Sequence, residues 1–473
     1  MALYSFGILG FCLFLYIPIK EFIIETFYII KNLKNIDFDN YLIYMGLGIF
    51  FCISIYAGYT YIYTNFSIFL ILLIIMSKLK RDITNNYKIN TNKISFLMLH
   101  LGYGGIETSV INTANALSKE YEVELISFYN LKNNQVSRIS KNINIKYLYN
   151  GEPNREEFKN AIKTHNYIKA LKEGIKAVNI LIKKKILIIK EIINNKSKYI
   201  ISTRYDFTTL LNQYGKNSNI KIAQEHHYHN NNRKYINIIK YKYYNIDYLF
   251  ALTKTLEEDY HKFLKYNHHT KVELIPNMLD KIPDKKSTLQ NKNIITMSRL
   301  NYGKKNDDII KAFSKIKDKS WKLYILGDGD EYTNLSNLIK ELKLEDNVFL
   351  EGYVKKENIE KYLLNSSIFL MASLTEGLPM VLLEAMSYGI PCIAYETASG
   401  VKDIIENNYN GFIIKSRNEK EYINCIDKLT KNQSLREKFG KNAIKTANKF
   451  KEEEIIKKWN KVLRSEENVK KSA

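Results

Sequence analysis

The chain reads as an α/β protein: two doubly wound domains preceded by an apolar helical segment. Three observations predict this. From Ile94 onward, short β-branched and aromatic runs alternate with longer stretches of helical period, which is the pattern of parallel sheets joined by crossover helices. The alternation starts afresh at Asn293, beyond Ile275-Pro276-Asn277. Ahead of both domains, residues 1–19 and 40–77 carry no charge, and the second run is longer than the roughly 20 residues of a spanning helix.

A length of 473 residues accommodates two ordinary domains and an appendage. The net charge of +22 implies an anionic partner: nucleic acid, an anionic lipid surface or a phosphorylated substrate. The lysines are spread along the chain, with no arginine-rich tail and no basic-aromatic RNA motif, so nucleic acid is not expected. Cys12, Cys52, Cys392 and Cys425 form neither a disulfide framework nor a zinc-type cluster, which points to a reducing compartment.

Residues 1–81 read as a membrane segment of two or three transmembrane helices. The long run is either one helix or a hairpin turning near Thr64-Asn65. Lys31 and Lys34 precede it, and Lys78, Lys80 and Arg81 follow. The positive-inside rule puts both flanks in the cytoplasm, which favours the hairpin. The first run lacks the basic start and small-residue cleavage site of a signal peptide. The expected location is the cytoplasmic (inner) membrane, multi-pass, with everything after Lys78 cytosolic. Residues 82–93, polar and Asn-rich, read as a linker.

The first soluble domain is expected over 94–276. Ile94–His100 is a strand, Leu101–Ile106 a glycine loop, Glu107–Lys119 a helix and Glu122–Phe128 a strand: one βαβ unit. The loop, Gly102-Tyr103-Gly104-Gly105, lets backbone approach a ligand without Cβ obstruction. It is not the dinucleotide fingerprint, since the spacing differs and the second strand ends in Phe128-Tyr129-Asn130 with no acid for a ribose. From about Glu156 to Asn195 the sequence predicts one long Lys-rich helical stretch. It is either a basic amphipathic helix on anionic lipid or a sheet-covering helix with a solvated lysine face. Lys198–Ser202, Ile220–Gln224 and Tyr248–Thr253 are further strands. The second of these runs into Glu225-His226-His227-Tyr228-His229, at the strand end where open α/β sheets place ligand-contacting groups. No carboxylate or Cys stands at ligand spacing from these histidines, so no metal is expected.

The second soluble domain is expected over 277–448, with strands Asn293–Met297, Trp321–Leu326, Asn347–Leu350, Ser367–Met371, Cys392–Ala394 and Gly411–Ile414. After the first comes Ser298-Arg299-Leu300-Asn301-Tyr302-Gly303-Lys304-Lys305, where Arg299 offers a guanidinium fork and Lys304 a point charge to a diphosphate. After Ser367–Met371 comes the string SLTEGLPMVLLEAMSYG, with Gly377 in a turn, Pro379 at the first helical position and Gly389 at the helix end. An open helix N-terminus suits a phosphate. Glu376 and Glu384 would repel one, so they read as acceptors for flanking sugar hydroxyls, and the stretch fits a sugar nucleotide. A C-terminal crossover helix and tail occupy 449–473.

Glu376 and Glu384 within EGLPMVLLEAMSYGIP resemble the paired-glutamate motif of the retaining glycosyltransferases of family 4, which have the GT-B fold. Gly104-Gly105-Ile106-Glu107 is similar to that family's Gly-Gly-x-Glu opening, and Ile275-Pro276-Asn277 to its interdomain crossover. Arg299 and Lys304 match its diphosphate-binding cations, although Lys305 stands where a glycine is usual. His226 matches a His that contacts the donor sugar. Gly352-Tyr353 matches a turn near the nucleobase. The resemblance runs from about 94 to 463. It implies two Rossmann-like domains facing a cleft, in which a sugar passes, with retention, from a nucleotide-sugar to a lipid-linked or polysaccharide acceptor in cell-envelope polysaccharide synthesis. Arg299, Lys304 and the N–H groups of Leu378 and Met380 would hold the leaving diphosphate beside the Gly377 turn. Glu376 would bind the donor sugar and Glu384 the ribose, with no cofactor and no metal. Two rivals are a membrane-tethered sugar-nucleotide-binding protein without turnover and a GT-B sugar-nucleotide epimerase.

Overall fold

The computed structural model describes residues 90–396 and 399–469. The segment expected over 1–81 and most of the 82–93 linker lie outside them, as do Thr397 and Ala398. The end of that linker is strand rather than loop. The Asn90 N–H donates to the Lys196 carbonyl at 2.9 Å and its side chain donates to Glu122 at 2.6 Å, so β1 spans Asn90–Met98.

The first sheet adds β2 (Glu122–Tyr129), β3 (Asn144–Tyr149), β4 (Ser197–Ser202), β5 (Ile220–Gln224), β6 (Tyr248–Ala251) and β7 (Lys271–Leu274). Its order is β3-β2-β1-β4-β5-β6-β7. The second sheet holds β8 (Asn293–Met297), β9 (Lys322–Leu326), β10 (Val348–Gly352), β11 (Ile368–Met371), β12 (Cys392–Tyr395) and β13 (Gly411–Ile414), in the order β10-β9-β8-β11-β12-β13. Every strand pair is parallel. Parallel pairing requires crossovers, and these place helices over both faces. The inner strands are therefore covered on both sides: β4, β5, β6, β11 and β12 are wholly buried.

Each sheet reverses its direction of winding once, between β1 and β4 in the first and between β8 and β11 in the second. Open α/β sheets bind ligands outside the carboxyl ends of the strands at such switch points. In the second sheet Ile368 pairs with Ile294 and Phe369 with Ile295, so β8 and β11 end level with each other. The loops carrying Arg299, Lys304 and Glu376 leave from that edge.

The Lys-rich stretch is two helices, Arg155–Lys163 and Tyr167–Asn194, not one. His165 adopts φ +52°, and the Asn166 side chain accepts from the Lys169 N–H to cap the second helix. Ile180, Ile188 and Ile192 bury against the first sheet. Among the described residues no helix is long and apolar enough to cross a membrane.

One apolar cluster joins the domains: it includes Leu97, Ile200 and Leu249 of the first sheet with Ile295, Phe369 and Leu383 of the second. The last helix, Glu452–Val469, crosses back to the first domain, where Trp459 lies edge-on to Phe250 with ring centroids 4.9 Å apart.

Candidate active site

The site is built from four loops, two from each domain. After β1, the glycine loop turns into the Gly105–Leu117 helix, with Gly104 as its N-cap in extended conformation (φ −177°). The glycines therefore begin the helix, instead of preceding a helix that starts at Glu107. Nothing stands where a Cβ on Gly105 would project, so its backbone is open to a ligand. The Glu107 carboxylate folds over Gly104, where a Cβ would collide with it, and lies 3.4 Å from His100 Nδ1.

After β5, Glu225 is buried and accepts from the hydroxyls of Tyr243, Thr208 and Tyr235. Its desolvation raises the carboxyl pKa, and those three donors oppose the rise. The next residue, His226, is buried, and neither ring nitrogen has a partner among the described residues. Burial, with His227 adding to it, drives its pKa down to about 3, so the ring is neutral. His229 is structural: Nε2 lies 2.9 Å from Asp259 and Nδ1 accepts from the Asn231 N–H. The pKa of the neighbouring His227 is held below the usual value, by desolvation first and Arg204 second, against Glu107 and Glu376.

After β8, the loop passes through exposed Arg299 to a short turn, Tyr302–Lys304. Lys304 Nζ reaches Glu376 Oε1 at 2.5 Å. Lys305 takes a left-handed conformation (φ +51°), pairs with Asp307 at 3.3 Å and lies over the Tyr302 ring. The two neighbouring lysines therefore have different partners, Glu376 for Lys304 and Asp307 for Lys305.

After β11, the acidic turn is tied to both domains. The Leu374 N–H donates to the Gly303 carbonyl at 2.8 Å, and the Thr375 hydroxyl donates to Asn230 at 2.5 Å. A Cβ on Gly377 would run into the His226 carbonyl oxygen, so only glycine permits this approach of the two domains. The helix that follows is Met380–Ser387. Pro379 is its N-cap, not its first residue, with ψ at 89°, and no side chain caps it. Its first N–H groups, Met380 foremost, are left for another acceptor. Gly389 closes the helix with φ +77°, as its place in the sequence predicts.

Glu384 is half-buried, about one turn into the Met380–Ser387 helix. Burial raises its carboxyl pKa, against the cations of Lys356 and Arg138 and with the help of Asp280. Those three form a bridge between the domains: Asp280 pairs with Arg138 at 3.2 Å and with Lys356 at 2.5 Å. Gly352 has φ +66°, and Tyr353 meets Tyr103 of the glycine loop edge-on at 6.1 Å. Of the residues expected to form the site, Lys304, Glu376, Gly377 and His226 are thereby brought together. Gly104 and Gly105 join Gly352 through the two tyrosines, and Leu378 is buried beneath the turn. Arg299 shares the Lys304 loop, with no side-chain partner among the described residues. His100, Arg204, Arg138, Asp280 and Lys356 were not anticipated.

Residues 280–446 match the family model of the glycosyl transferases group 1. An uncharacterized glycosyltransferase of Haemophilus influenzae is 28% identical over 381 residues, 78% of this chain and 99% of its own length. The chain is a glycosyltransferase. This glycosyltransferase is also 31% identical over 187 residues to the amylovoran biosynthesis glycosyltransferase AmsD of Erwinia amylovora, 40% of this chain and 52% of that one. A TarM variant from S. aureus, solved in complex with fondaparinux, alpha-GlcNAc-glycerol and UDP, superposes with a TM-score of 0.63 at 18% identity, over 79% of this chain and 99% of that one. The fold is GT-B, with a parallel sheet in each half.

Proposed function

We propose that this glycosyltransferase moves a sugar from a nucleotide-sugar to a lipid-linked or polymeric acceptor in cell-envelope polysaccharide synthesis, with retention of anomeric configuration and without a metal. The Lys304–Glu376 ion pair, held against the Gly377 turn and the His226 carbonyl, carries this reading. It joins a cation, a carboxylate and an uncapped helix N-terminus at the level edge of β8 and β11. A leaving nucleoside diphosphate accumulates charge on its oxygens, and fixed cations and N–H dipoles aimed there lower the barrier. Lys304, Arg299 and the N–H groups of Leu378 and Met380 take that role. When the diphosphate engages Lys304, Glu376 is released to accept from donor sugar hydroxyls. His226 suits a neutral polyol: it is uncharged, and two unpartnered ring nitrogens in a buried position are costly until a ligand satisfies them. Glu384, further along the helix, is proposed to hold the ribose, and the Gly352-Tyr353 turn lies on the nucleobase side.

The UDP in the TarM complex supports a nucleotide-sugar donor, and the amylovoran relative supports a polysaccharide product. The uncharged runs before Lys78 support action at the cytoplasmic face of a membrane. The decisive measurement is donor turnover, with the donor chosen by a thermal-shift screen of nucleotide-sugars. Arg299→Ala and Glu376→Ala should each lower kcat/KM by about a hundredfold or more, on the order of 3 kcal/mol, with melting unchanged. Unchanged turnover in both variants overturns the assignment. NMR of the product's anomeric centre tests retention.

A further inference from the structure

The Tyr167–Asn194 helix has a face that the fold does not use. Ile168, Leu171, Ile175, Val178, Ile182 and Ile186 recur every three or four residues and form one stripe. Each is more than half exposed, from 54% at Ile182 to 86% at Ile168. At 1.5 Å per residue the stripe is about 27 Å long. Scattered apolar residues on a surface need no explanation, but a continuous straight row of six does. The residues that cover the sheet, Ile180, Ile188 and Ile192, project from the other side.

Charge on this helix is sorted as well. Lys169, Lys172, Lys176, Lys183 and Lys190 form a row along one edge of the apolar stripe, and all five are exposed. Both glutamates of the helix lie beyond the lysine row, away from the stripe, and Glu173 stands 3.6 Å from Lys176. Glu173 accepts from Asn154 at 2.9 Å, and Glu191 is buried and paired with Lys146 at 2.8 Å. The open face therefore combines a straight apolar ridge with a cationic border and no carboxylate.

We propose that this face lies on an anionic lipid bilayer, with the apolar stripe in the headgroup–acyl boundary and the lysine row against lipid phosphates. A planar anionic surface matches both the straightness of the ridge and the sign of its border. A second copy of the chain matches less well. Antiparallel pairing of two such stripes sets each lysine row against its counterpart, and like charges are then brought together as the interface closes. The proposal does not involve the donor site. It draws on the membrane reading of residues 1–81 only for the choice of leaflet.

The test uses the full chain in nanodiscs, with Cys12 and Cys52 replaced by Ser and a polarity-sensitive fluorophore on Ile175→Cys. A second chain carries the label on Lys340→Cys, on the exposed side of a second-domain helix. In discs containing a quarter phosphatidylglycerol, the residue-175 probe should shift to the blue and be quenched severalfold more by nitroxide lipids than the residue-340 probe. Combined Lys172→Gln, Lys176→Gln and Lys183→Gln substitution, or discs of phosphatidylcholine alone, should reduce that quenching at least twofold. A residue-175 probe that stays water-like and open to iodide in anionic discs overturns the proposal. So does a blue shift without nitroxide quenching, which would mean that residues 1–89 or a second copy cover the face. A chain that fails to remain with the discs at all sinks the reading of 1–81 instead, and the same probe is then read on added vesicles of the same composition.

Discussion

Two side chains in the cleft are placed where folding alone would not put them, and their protonation makes this measurable. His226 is neutral in the folded chain, its pKa lowered to about 3 against an ordinary 6.5. The unfolded chain therefore takes up the proton first. The stabilisation is complete above about pH 6.5 and is lost as pH falls toward about 3, by at most about 1.4 kcal/mol per pH unit from this group. Urea unfolding at a series of pH values should show that acid slope, and His226→Gln should flatten it. An unaltered slope in the variant means that the ring is not held neutral. Glu384 has the opposite sign. Burial raises its carboxyl pKa, so its contribution is most favourable when protonated, below the ordinary value, and is lost as pH rises through the folded value. Glu384→Gln should therefore melt higher than the parent at pH 7.5, with the gap closing on acidification, while donor affinity falls. A variant that melts lower at pH 7.5 would show that Lys356 and Arg138 outweigh desolvation. In both groups burial works against the charged form, and it is the charged form that the two slopes read.

At the scale of elements, the Gly377 turn is a place where backbone of the two domains meets. Its Cα faces the His226 carbonyl of one domain, and the Gly377 carbonyl itself abuts Gly400 on its other side. Gly377→Ala forces backbone rather than a pliable side chain to move. It should cost more in kcat/KM, tenfold or more, than in melting temperature, because the Lys304–Glu376 geometry depends on that turn. Equal activity with an intact fold would place the turn outside the site. This unit was legible in the sequence because strand, turn and helix are contiguous and every residue that matters lies within SLTEGLPMVLLEAMSYG. The central strands were legible for a similar reason: burial on both faces leaves long apolar runs. The edge strands β3 and β7 were not, since their residues are half-exposed and their pattern mixes with loop. The break at His165 was hidden because a left-handed residue followed by an Asn cap interrupts neither the lysine richness nor the helical period. Pro379 fits both the N-cap and the first helical position, and only the observed ψ separates the two. The Arg138–Asp280–Lys356 bridge had no local signal at all, because its members meet only when both domains are folded.

On the scale of the whole molecule, the last helix makes the first domain depend on the end of the chain. Ile455, Trp459, Val462 and Leu463 are buried in the same cluster as Ile94, Phe96, Val123 and Phe250. The Tyr199 hydroxyl, from the middle of the first sheet, donates to the Leu463 carbonyl at 2.5 Å. Around this apolar seam, Arg464 pairs with Glu120 at 2.8 Å and Lys119 pairs with Glu452. Those surface pairs contribute little, since both partners are exposed. The seam itself contributes far more: replacing a buried Trp by Ala costs about 3–5 kcal/mol, a large share of the 5–15 kcal/mol that holds an ordinary domain. Trp459→Ala should therefore lower the melting temperature markedly. Trp459 touches no group of the cleft, so kcat/KM measured well below that temperature should remain within a few-fold of the parent. Deleting residues 451–473 should go further, exposing Phe96 and Phe250 together, and the first domain should then become protease-sensitive while 280–446 resists. A truncated chain that melts like the parent would show that the crossover helix is only a cover, whereas a Trp459→Ala variant that loses activity without losing stability would show that the helix acts on the cleft. One apolar cluster spans both sheets, and this helix ties the end of the chain to the first of them. Cations on one side and an unpartnered imidazole on the other can then be held at working distance before any ligand arrives.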